Sequence, residues 1–533
     1  MDIKKSKFKA IDLYSGVGGW TLGLQLAGVK VVASYERWGP AIETHEANFD
    51  SEVFKQDIRS LNLDSLPQNI DFVVGSPPCT NFSYSNRGGS GDIADGLKDM
   101  AAFLEVVRAV KPKFWAMENV PRVKNILENI LENDPYFKEF EPFFNYIEVV
   151  NCKDFGLPQN RKRMIAGNFP FRLFESYKSI CGETTMEASM ESLRGSEIND
   201  FLYGYSQACE STSGLQNEES LTSEEVRMNS EAKSYHPVYN KMSFPDKLNR
   251  PSRTITSTCT RVSRESIVLS NECGEFRRLN LRERACLQGF PVSFEFLGNS
   301  YSDQLKMVGN AIPPPLTYHI ASSFLSVDKA SLKSLPSLNY THKPVTGITK
   351  TFSPNAKKKS YPVKRSFRFC VPSLRFGSGV RFQLSNSFVK GSVRWNMDFY
   401  YGSSKDIRIF RLNEFGFYLV SMLRSPKLEK KLAQLKIYCE SIDSEQIQLA
   451  WAHREKDSQG PFSVADKLGQ AAVDIKKIIE TKSFEMNFND LFSEFISIAN
   501  DQNRQLSGVS KLRNYFSDIC AGTIVGFTFN KSR

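Results

Sequence analysis

The sequence lacks the features by which metal-binding, disulfide-bonded and membrane proteins are usually recognised. Its ten cysteines are scattered, with no Cys-x-x-Cys pair and no histidine and cysteine cluster at zinc-ligand spacing. We therefore expect reduced thiols and no bound metal. No run of about 18 uncharged apolar residues occurs, and the N-terminus MDIKKSKFKA leads directly into a strand-like segment without the apolar core of a signal peptide. These absences predict a cytoplasmic protein that does not enter a membrane.

What the chain does have is length and an uneven distribution of charge. Its 533 residues exceed what one hydrophobic core usually organises, so two or three domains are expected. Residues 182–232 contain 11 acidic and 2 basic side chains, whereas residues 339–436 contain 20 basic and 4 acidic ones. Clustered cations attract polyanions because binding releases condensed counterions, so the second stretch predicts a polyanionic partner. A merely solvated basic face is the alternative.

The first 170 residues alternate between strand-like and helix-like segments. The strand-like runs are FKAIDLY, VKVVASYE, DFVVGS, KFWAMENV, NYIEVVNC and RMIAGNF, and the helical ones are WTLGLQLAG, PAIETHEANF, AAFLEVVRAV and RVKNILENILEN. Strict alternation of this kind predicts an α/β fold with a doubly wound parallel sheet. In such sheets, ligands bind beyond the carboxyl ends of the strands.

A glycine-rich turn, DLYSGVGG (12–19), follows the first strand and opens the first helix. Glycines let backbone N–H groups approach a ligand closely, and a helix N-terminus favours a carboxylate or a phosphate. Glu36, at the end of the second strand, could accept hydrogen bonds from ribose hydroxyls, and Asp57, at the end of the third, could reach an adenine amino group. Together these features predict a site for an adenosine-bearing ligand, although each one alone could be a structural turn or cap.

A cysteine follows two prolines at the end of the fourth strand, in VVGSPPCTNFS (73–83). The prolines fix the backbone and remove N–H donors, so the loop is stiff and the thiol of Cys79 is presented rather than packed. A single cysteine is more often a small buried apolar residue. The polar residues Thr80, Asn81 and Ser83 suit a site better than a core, and no histidine lies nearby in the sequence.

Charged residues next to two later strands are further candidates. Glu118 follows the apolar run FWAM, so it is either a helix cap or a carboxyl group held in a low-polarity cleft and suited to acid catalysis. In QNRKR (159–163), Arg161 and Arg163 alternate and would point to one face of an extended segment, where they could bind a phosphate or a carbonyl oxygen. A solvated basic turn is the alternative.

In this order, the segments resemble the motif series of the DNA (cytosine-5)-methyltransferase family. The resemblance extends over roughly residues 8 to 325 and is carried by DLYSGVGG, Glu36, Asp57, GSPPCTNFS, ENV, QNRKR, RPSRTIT, RRLNLRERACLQGFP and GNAIPPPL. Two positions depart from the family pattern. Thr80 stands where the family has glutamine after Pro-Pro-Cys, and Asn280 stands where it has threonine; neither replaces a catalytic group.

The resemblance implies a Rossmann-like domain that uses S-adenosyl-L-methionine to methylate C5 of cytosine in a specific double-stranded DNA sequence. In that chemistry Cys79 adds to C6 of a base flipped out of the duplex. Glu118 acts at the pyrimidine N3, Arg163 holds the O2 carbonyl, and Arg161 assists at the loop or at a phosphate. No metal is required.

The resemblance also assigns binding residues. The cofactor pocket would be formed by Asp12, Tyr14, Gly16, Gly18, Glu36, Asp57 and Asn310. For the contacts to DNA we expect Ser83, Gln159, Lys241, Lys247, Arg250 and Arg261. The target-recognition region of the family corresponds to residues 171–276, whose acidic middle would repel phosphate, so base reading is expected on its flanks.

The expected organisation is a methyltransferase domain with a small target-recognition domain and an additional C-terminal α+β domain. Its parts are a catalytic domain (1–170 with 277–325), a target-recognition region with an acidic flexible loop (171–276), a linker (326–350) and a basic accessory domain (351–533). We expect a bacterial or phage-encoded monomer, acting alone or beside a separately encoded restriction endonuclease. A tRNA cytosine-5 methyltransferase and a non-catalytic DNA-binding regulator on the same fold are the alternatives.

Overall fold

The fold was analysed in a computed structural model, in which two compact units are distinguished, Met1–Ser234 with Met242–Asn355 and Tyr235–Lys241 with Ala356–Arg533. The structure describes residues 6–78, 82, 92–234, 242–271, 273–338, 340–345, 352, 361–376, 379–403, 406–454, 459–482, 488–502 and 512–532. Each unit has a sheet of its own and is described by itself.

The first unit is built on a seven-stranded sheet. The strands of this unit are β1 (Lys9–Leu13), β2 (Lys30–Glu36), β3 (Val53–Lys55), β4 (Phe72–Gly75), β5 (Phe114–Asn119), β6 (Tyr146–Asn151), β7 (Gln159–Asn160), β8 (Lys162–Asn168), β9 (Glu197–Asn199), β10 (Ser206–Ala208), β11 (Ser252–Arg253), β12 (Val268–Ser270) and β13 (Phe276–Arg278). The order in the large sheet is β3-β2-β1-β4-β5-β8-β6, and the strands from β3 to β5 are parallel, as predicted.

One strand of this sheet differs from the all-parallel expectation. β8 runs antiparallel to both of its neighbours, β5 and β6. The connection from β6 to β8 consists of residues 152–161, whereas a parallel crossover needs about a dozen residues or more, usually in a helix. The chain therefore turns back, and the start of β8 lies beside the carboxyl end of β5.

Helices cover both faces of the large sheet, which explains why its middle strand, β4, is apolar at every position. Val73 of β4 packs with Phe103 and Leu127 on one face, and Phe72 packs with Trp20 on the other. The helices of this unit are α1 (Gly19–Leu26), α2 (Gly39–Asn48), α3 (Ile93–Val110), α4 (Val123–Asn133), α5 (Pro135–Lys138), α6 (Phe171–Ser176), α7 (Met186–Glu191), α8 (Ser223–Ser234), α9 (Leu281–Leu287), α10 (Tyr301–Asn310) and α11 (Pro314–Phe324).

The acidic stretch between residues 182 and 232 is folded against arginines. Glu218 is buried and accepts two hydrogen bonds from Arg278, at 2.6 and 2.8 Å. Glu225, in α8, accepts two from Arg261, at 2.7 and 2.8 Å. Part of the negative charge of the expected acidic flexible loop is thus neutralised by arginines of the same unit.

The segment expected to be a linker, 326–350, contributes to the core of the first unit. Leu335 is buried in an apolar cluster with residues of α9, α10 and α11. His342 is buried, stacks on Phe294 with ring centroids 5.2 Å apart, and its Nε2 lies 3.0 Å from Asn48 Oδ1. A Pro- and Ser-containing composition suggested a linker, but Leu332, Leu338 and Tyr340 pack against the same cluster as Leu335.

The second unit combines a four-stranded antiparallel sheet with helices, in agreement with the expected α+β domain. Its strands are β14 (Arg368–Arg375), β15 (Arg381–Val389), β16 (Ser392–Ser403) and β17 (Asp406–Phe410), and its helices are α12 (Leu412–Met422), α13 (Pro426–Ser441), α14 (Ser444–Trp451), α15 (Pro461–Lys482), α16 (Phe488–Gln502) and α17 (Phe516–Lys531). α15 and α17 pack against the sheet. Across the described residues, no helix has both the length and the apolar character needed to cross a membrane.

Candidate active site

The candidate site lies along the carboxyl edge of the large sheet, where β1, β2, β4 and β5 end. β1 leads into the glycine turn through Tyr14 and Gly16, which both have positive φ, 54° in each case. A glycine adopts this conformation without steric cost. A Cβ atom at Gly16 would meet no atom within 4 Å, so the space beside this turn is open.

Glu36, at the end of β2, is held directly beside this turn. Its Oε2 accepts a hydrogen bond from the Gly16 amide at 2.9 Å, and its Oε1 accepts from the Arg37 and Trp38 amides at 2.7 and 2.8 Å. Three backbone donors fix the orientation of the carboxylate. The structure therefore brings Glu36 and the glycine turn together, as the sequence predicted.

Asp12 differs from the expectation that it contacts a cofactor. Its side chain is completely buried, and its Oδ2 accepts a hydrogen bond from Thr21 Oγ1 at 2.9 Å. The Thr21 hydroxyl oxygen also lies 3.1 Å from His45 Nε2. Burial raises the pKa of Asp12 to about 8 and lowers that of His45 to about 3. Asp12 thus supports the first turn of α1 from beneath, and no ligand can reach it.

Asp57 lies beyond the end of β3 and is about half exposed. Its Oδ1 accepts from the Arg59 amide at 3.0 Å, and its Oδ2 lies 3.4 Å from Arg37 Nη1. An exposed carboxylate with these weak contacts is accessible to a ligand. The structure places it on the same edge as Glu36, since β2 and β3 are parallel neighbours.

An ion-pair cluster that was not predicted from the sequence lies next to these residues. The guanidinium of Arg59 binds Asp95 at 2.8 Å and the buried Asp99 at 2.7 Å, both in α3. Tyr14 donates its hydroxyl to the Asp99 side chain at 3.2 Å. The cluster therefore connects the glycine turn, the Asp57 segment and α3. The spacing of Asp95 and Asp99, one helical turn apart, was the available signal.

Two further contacts assemble the proposed catalytic groups. Glu118, near the end of β5, is 8% exposed in its side chain, and its Oε1 lies 2.8 Å from Arg163 Nε. The next residue, Asn119, donates from Nδ2 to the Pro77 carbonyl at 3.1 Å. Pro77 precedes Cys79 by two residues, so the segment that carries the cysteine is attached beside Glu118. Cys79 itself, together with Thr80 and Ser83, lies outside the described residues.

Arg161 and Gln159 do not face a substrate, contrary to the sequence expectation. Arg161 is fully buried and donates to the backbone carbonyls of Ile255, Gly309 and Ala311 at 2.9 to 3.1 Å. Gln159 is also fully buried; it donates to Leu287 O and Gln288 Oε1 and accepts from the Ile255 amide. Alternation along the chain predicted the direction of Arg161, but distant backbone carbonyls fill the space in that direction.

The remaining predicted residues have different surroundings. Lys247 and Arg250 are exposed, and Arg250 donates to Ser243 Oγ at 2.7 Å. Arg261 is instead engaged by Glu225, so its charge is compensated inside the unit. Asn310 is exposed at the end of α10, between Gly309 and Ala311, whose carbonyls both accept from Arg161. Lys241 lies outside the described residues.

Within the part of the chain that the structure describes, no group of three or more histidine, cysteine, aspartate or glutamate side chains could hold a metal ion. The chemistry available at the sheet edge is that of a carboxyl group, a guanidinium and a tethered cysteine segment.

Comparison with known families and proteins gives consistent similarities. A family described as C-5 cytosine-specific DNA methylase matches residues 8–326. The chain is 27% identical to the Type II methyltransferase M.FnuDI of Fusobacterium nucleatum, over 61% of this chain and 97% of that protein. It is 30% identical to M1.HphI of Haemophilus parahaemolyticus, over 60% and 87%.

Solved structures are also similar. A putative DNA modification methyltransferase encoded within a prophage of E. coli has 23% identity and a TM-score of 0.45, covering 60% of this chain and 99% of its own. The S. pombe Dnmt2 methyltransferase has 15% identity and a TM-score of 0.44, with coverage of 60% and 99%.

Proposed function

The chain belongs to the C-5 cytosine-specific DNA methylase family and is a DNA (cytosine-5) methyltransferase; on this premise we propose how its residues carry out the reaction. We propose that Cys79 adds covalently to C6 of a cytosine flipped out of a specific duplex sequence. The C5 position of that cytosine then receives the methyl group.

The residues at the sheet edge fit S-adenosyl-L-methionine. Gly16 leaves open space beside a turn whose left-handed backbone favours glycine, and Glu36 and Asp57 present carboxylates for hydroxyl and amino donors. We assign Tyr14, Gly16, Glu36, Asp57 and Asn310 to this pocket. We leave out Asp12 and Gly18, which are both buried; the Gly18 amide donates to the Ser15 carbonyl at 2.9 Å, and a Cβ atom at Gly18 would lie 2.3 Å from Phe49 Cε2. When bound, the cofactor supplies an electrophilic methyl group.

Cys79 serves as the nucleophile. Cytosine C5 is a poor nucleophile until a thiolate has added to C6, which turns the ring into an enamine-like intermediate with electron density at C5. After methylation, the C5 proton leaves, the C6–S bond breaks by β-elimination, and the thiolate is restored. A stiff Pro-Pro segment suits this role because the sulfur must meet a single ring carbon.

Glu118 and Arg163 would stabilise the charge that this addition creates. Adding a thiolate to C6 places negative charge on the ring, at N3 and O2. In its protonated form, Glu118 is suited to transfer a proton to N3 or to donate a hydrogen bond to it, while Arg163, 2.8 Å from Glu118, is suited to O2. Polarisation of the substrate replaces the histidine that many cysteine enzymes use.

One observation carries the proposal: the hydrogen bond from Asn119 to the Pro77 carbonyl, next to the Glu118–Arg163 pair. It attaches the cysteine segment to the strand end that bears the acid. Two segments 42 residues apart in the sequence are thereby held at one place.

DNA contacts and biological role follow as further parts of the proposal. A stacked cytosine does not expose C6, so the base must leave the duplex. We assign recognition to the exposed Lys247 and Arg250, with Lys241, on the flank of the acidic stretch; unchanged binding to target duplex after their replacement would contradict this. Similarity to Type II methyltransferases supports a restriction-modification role beside a companion endonuclease. We propose that the enzyme acts as a monomer.

Nucleoside analysis of methylated DNA tests the proposal. Unmethylated genomic DNA is incubated with the enzyme and labelled methyl donor, digested to nucleosides and separated by mass. We expect 5-methylcytosine from the wild type and from Cys152→Ser, and none from Cys79→Ser. Cys152 is a matched control because it is fully buried, with a pKa raised by burial to about 12. Label in N4-methylcytosine or N6-methyladenine, or equal loss in both variants, would contradict the proposal.

A further inference from the structure

The four-stranded sheet of the second unit has two chemically different faces. In an antiparallel pair, residues directly opposite each other point to the same face. Phe382 lies opposite Phe399, and Leu384 opposite Met397. All four side chains are buried at 0% exposure, on the face against which α15 and α17 pack. Strand alternation therefore assigns the residues between them to the opposite side, here called the outer face.

The outer face is rich in arginine and mostly polar, with Val389, opposite Ser392, and Ile409, opposite Tyr400, as exposed apolar side chains. Arg381 lies opposite both Arg375 and Tyr400, Gln383 opposite Cys370 and Asp398, Ser385 opposite Arg368 and Asn396, and Ser387 opposite Arg394. These residues define the outer face. It carries four arginines and one acidic side chain, Asp398, whose pKa is raised by burial.

The arginines follow one another along the direction of the strands. Along β15, Arg368 is paired with Ser385, four residues after Arg381. Arg394 is paired with Ser387, six residues after Arg381. At about 3.3 Å per residue, the three positions extend over roughly 20 Å. That length corresponds to about six base pairs of duplex, since each strand carries one phosphate per about 3.4 Å.

The charge of two arginines on this face is available for a ligand, since Arg368 and Arg394 are exposed. Arg381 is half-buried, with its guanidinium 4.9 Å from the centre of the Tyr400 ring, and its Nε and Nη2 lie 3.4 and 3.3 Å from Gln383 Oε1. Its Nη1 is buried and makes no hydrogen bond to the described residues. Because Gln383 and Tyr400 are neutral, Arg381 adds positive charge to the face in addition to that of the two exposed arginines.

We propose that the outer face of this sheet is a second DNA-contact surface, on which Arg368, Arg381 and Arg394 bind the phosphates of the duplex substrate. The inference rests on duplex DNA as the substrate of the proposed function. It gives the basic C-terminal unit, which lies beyond residue 326 where the family similarity ends, a defined part in binding.

The composition of the face favours a duplex over single-stranded nucleic acid. Single strands are held by stacking their bases on several aromatic rings. On the outer face as described, Tyr400 is the one aromatic side chain, and Arg381 already covers its ring. Arginines separated by serine, asparagine and glutamine instead match the phosphates and sugars of a double helix, which such side chains contact without reading sequence.

Salt-dependent binding tests this surface. Affinity for a short random-sequence duplex is measured without methyl donor for wild type and for Arg368→Gln/Arg381→Gln/Arg394→Gln. Each lost phosphate contact lowers the magnitude of the slope of log K against log salt by about 0.9. The slope of the triple variant should therefore be smaller than that of the wild type by about 2 to 3. Between about 50 and 200 mM salt, the wild type should therefore lose roughly 40-fold more affinity than the variant.

A charge-matched control separates the face from net charge. Lys427→Gln/Lys430→Gln/Lys436→Gln removes three exposed cations from α13 of the same unit, and it should keep the wild-type slope. The double variant Arg368→Gln/Arg394→Gln, which changes only exposed side chains, should lose about 2 if the triple variant does not fold. An unchanged slope, or an equal loss in the lysine control, overturns the inference. Because no methyl transfer is measured, the binding result can be interpreted even if the proposed chemistry is wrong.

Discussion

Glu118 and Arg163 form an ion pair in a site that is almost closed to solvent, with side-chain exposures of 8% and 12%. A charge-assisted hydrogen bond between them orients the carboxyl group, and burial strengthens its interaction with a bound ring. Proton donation and electrostatic stabilisation from such a group depend on its chemistry as well as its shape. A substitution that keeps the shape of the side chain and removes its acid chemistry should therefore show how much the chemistry contributes.

We predict that Glu118→Gln lowers kcat for methyl transfer to DNA by about 100- to 10,000-fold, the range expected for loss of a general acid. The matched control is Glu148→Gln. Both glutamates are paired with Ile165 of β8 from opposite sides, but Glu148 is exposed and lies 3.3 Å from Lys124. The control should stay within about twofold of wild type. Equal effects of the two substitutions would contradict the role of Glu118.

Asp12 gives the stability of the first unit a defined pH dependence. Burial raises its pKa from 3.8 to about 8, so between these values the folded protein holds a proton that the unfolded chain has lost. The free energy of unfolding therefore falls as the pH rises to about 8. Below about 6.5 the buried histidines His45, His319 and His342, whose pKa values are lowered to about 3 to 4, have the opposite effect.

We therefore predict a loss of roughly 2 kcal/mol between about pH 6.5 and 8, at about 1.4 kcal/mol per pH unit for one proton. Asp12→Asn should remove this loss, because the amide stays neutral and still accepts from Thr21. Asp64→Asn, at an exposed position, should retain it. Urea unfolding at several pH values provides the measurement, and a parallel pH dependence in all three proteins would refute the assignment.

Some site residues could be assigned from the sequence, and others could not. Glu36 and Glu118 could be identified because each follows a buried strand, and parallel strands deliver their ends to one edge. Arg161 and Gln159 could not be assigned correctly, since their partners, such as Gly309 and Leu287, are 128 to 148 residues away in the sequence. A local pattern gives the direction of a side chain but not what occupies that direction.

At the scale of elements, the packing of α1 against α11 positions the glycine turn. A Cβ atom at Gly23 of α1 would lie 2.0 Å from Thr317 Oγ1 and 2.6 Å from the Tyr318 amide nitrogen. Thr317 Oγ1 donates to the Gly19 carbonyl at 2.8 Å. The two helices therefore approach more closely than any residue but glycine allows.

We predict that Gly23→Ala destabilises the protein by about 2 kcal/mol or more, because backbone atoms of α11 would have to move. Gly39→Ala is the control: it also lies in a helix, and its Cβ would meet no atom within 4 Å. The control should be neutral or stabilising by up to about 1 kcal/mol. Thermal unfolding of both variants measures this, and similar midpoints would contradict the close approach.

The elements of the large sheet were mostly predictable from sequence, and the reason is physical. The middle strand, β4, is apolar at every position because helices cover both faces. The antiparallel direction of β8 was not predicted, because hydrophobic periodicity is the same for either strand direction. Only the short connection 152–161 determines that direction.

At the scale of the whole molecule, the chain divides into two units after Asn355. From the sequence, a linker at 326–350 and an accessory domain at 351–533 were expected. The sequence correctly placed a basic α+β domain at the C-terminus, because composition changes there. It missed the contribution of Leu335 and His342 to the first core, since scattered apolar residues among serines and prolines resemble a linker.

We predict that chains ending at Asn355 and at Ala330 differ in stability. The longer one retains the buried Leu335 and His342, and the shorter one loses both, at a cost of about 3 kcal/mol or more. Urea unfolding of the two truncated chains makes the comparison. Coincident transitions would show that residues 331–355 contribute nothing to the first unit.

Mass-spectrometric mapping of a covalent complex tests the central claim most directly. Duplex DNA containing 5-fluorocytosine is incubated with enzyme and S-adenosylmethionine. β-Elimination requires that the C5 hydrogen be removed as a proton. A fluorine at C5 cannot be removed in this way, so the adduct persists. We predict a nucleotide attached to the peptide containing Cys79 in the wild type and in Cys152→Ser, and no adduct in Cys79→Ser. An adduct at another residue, or one that survives Cys79→Ser, would contradict the account.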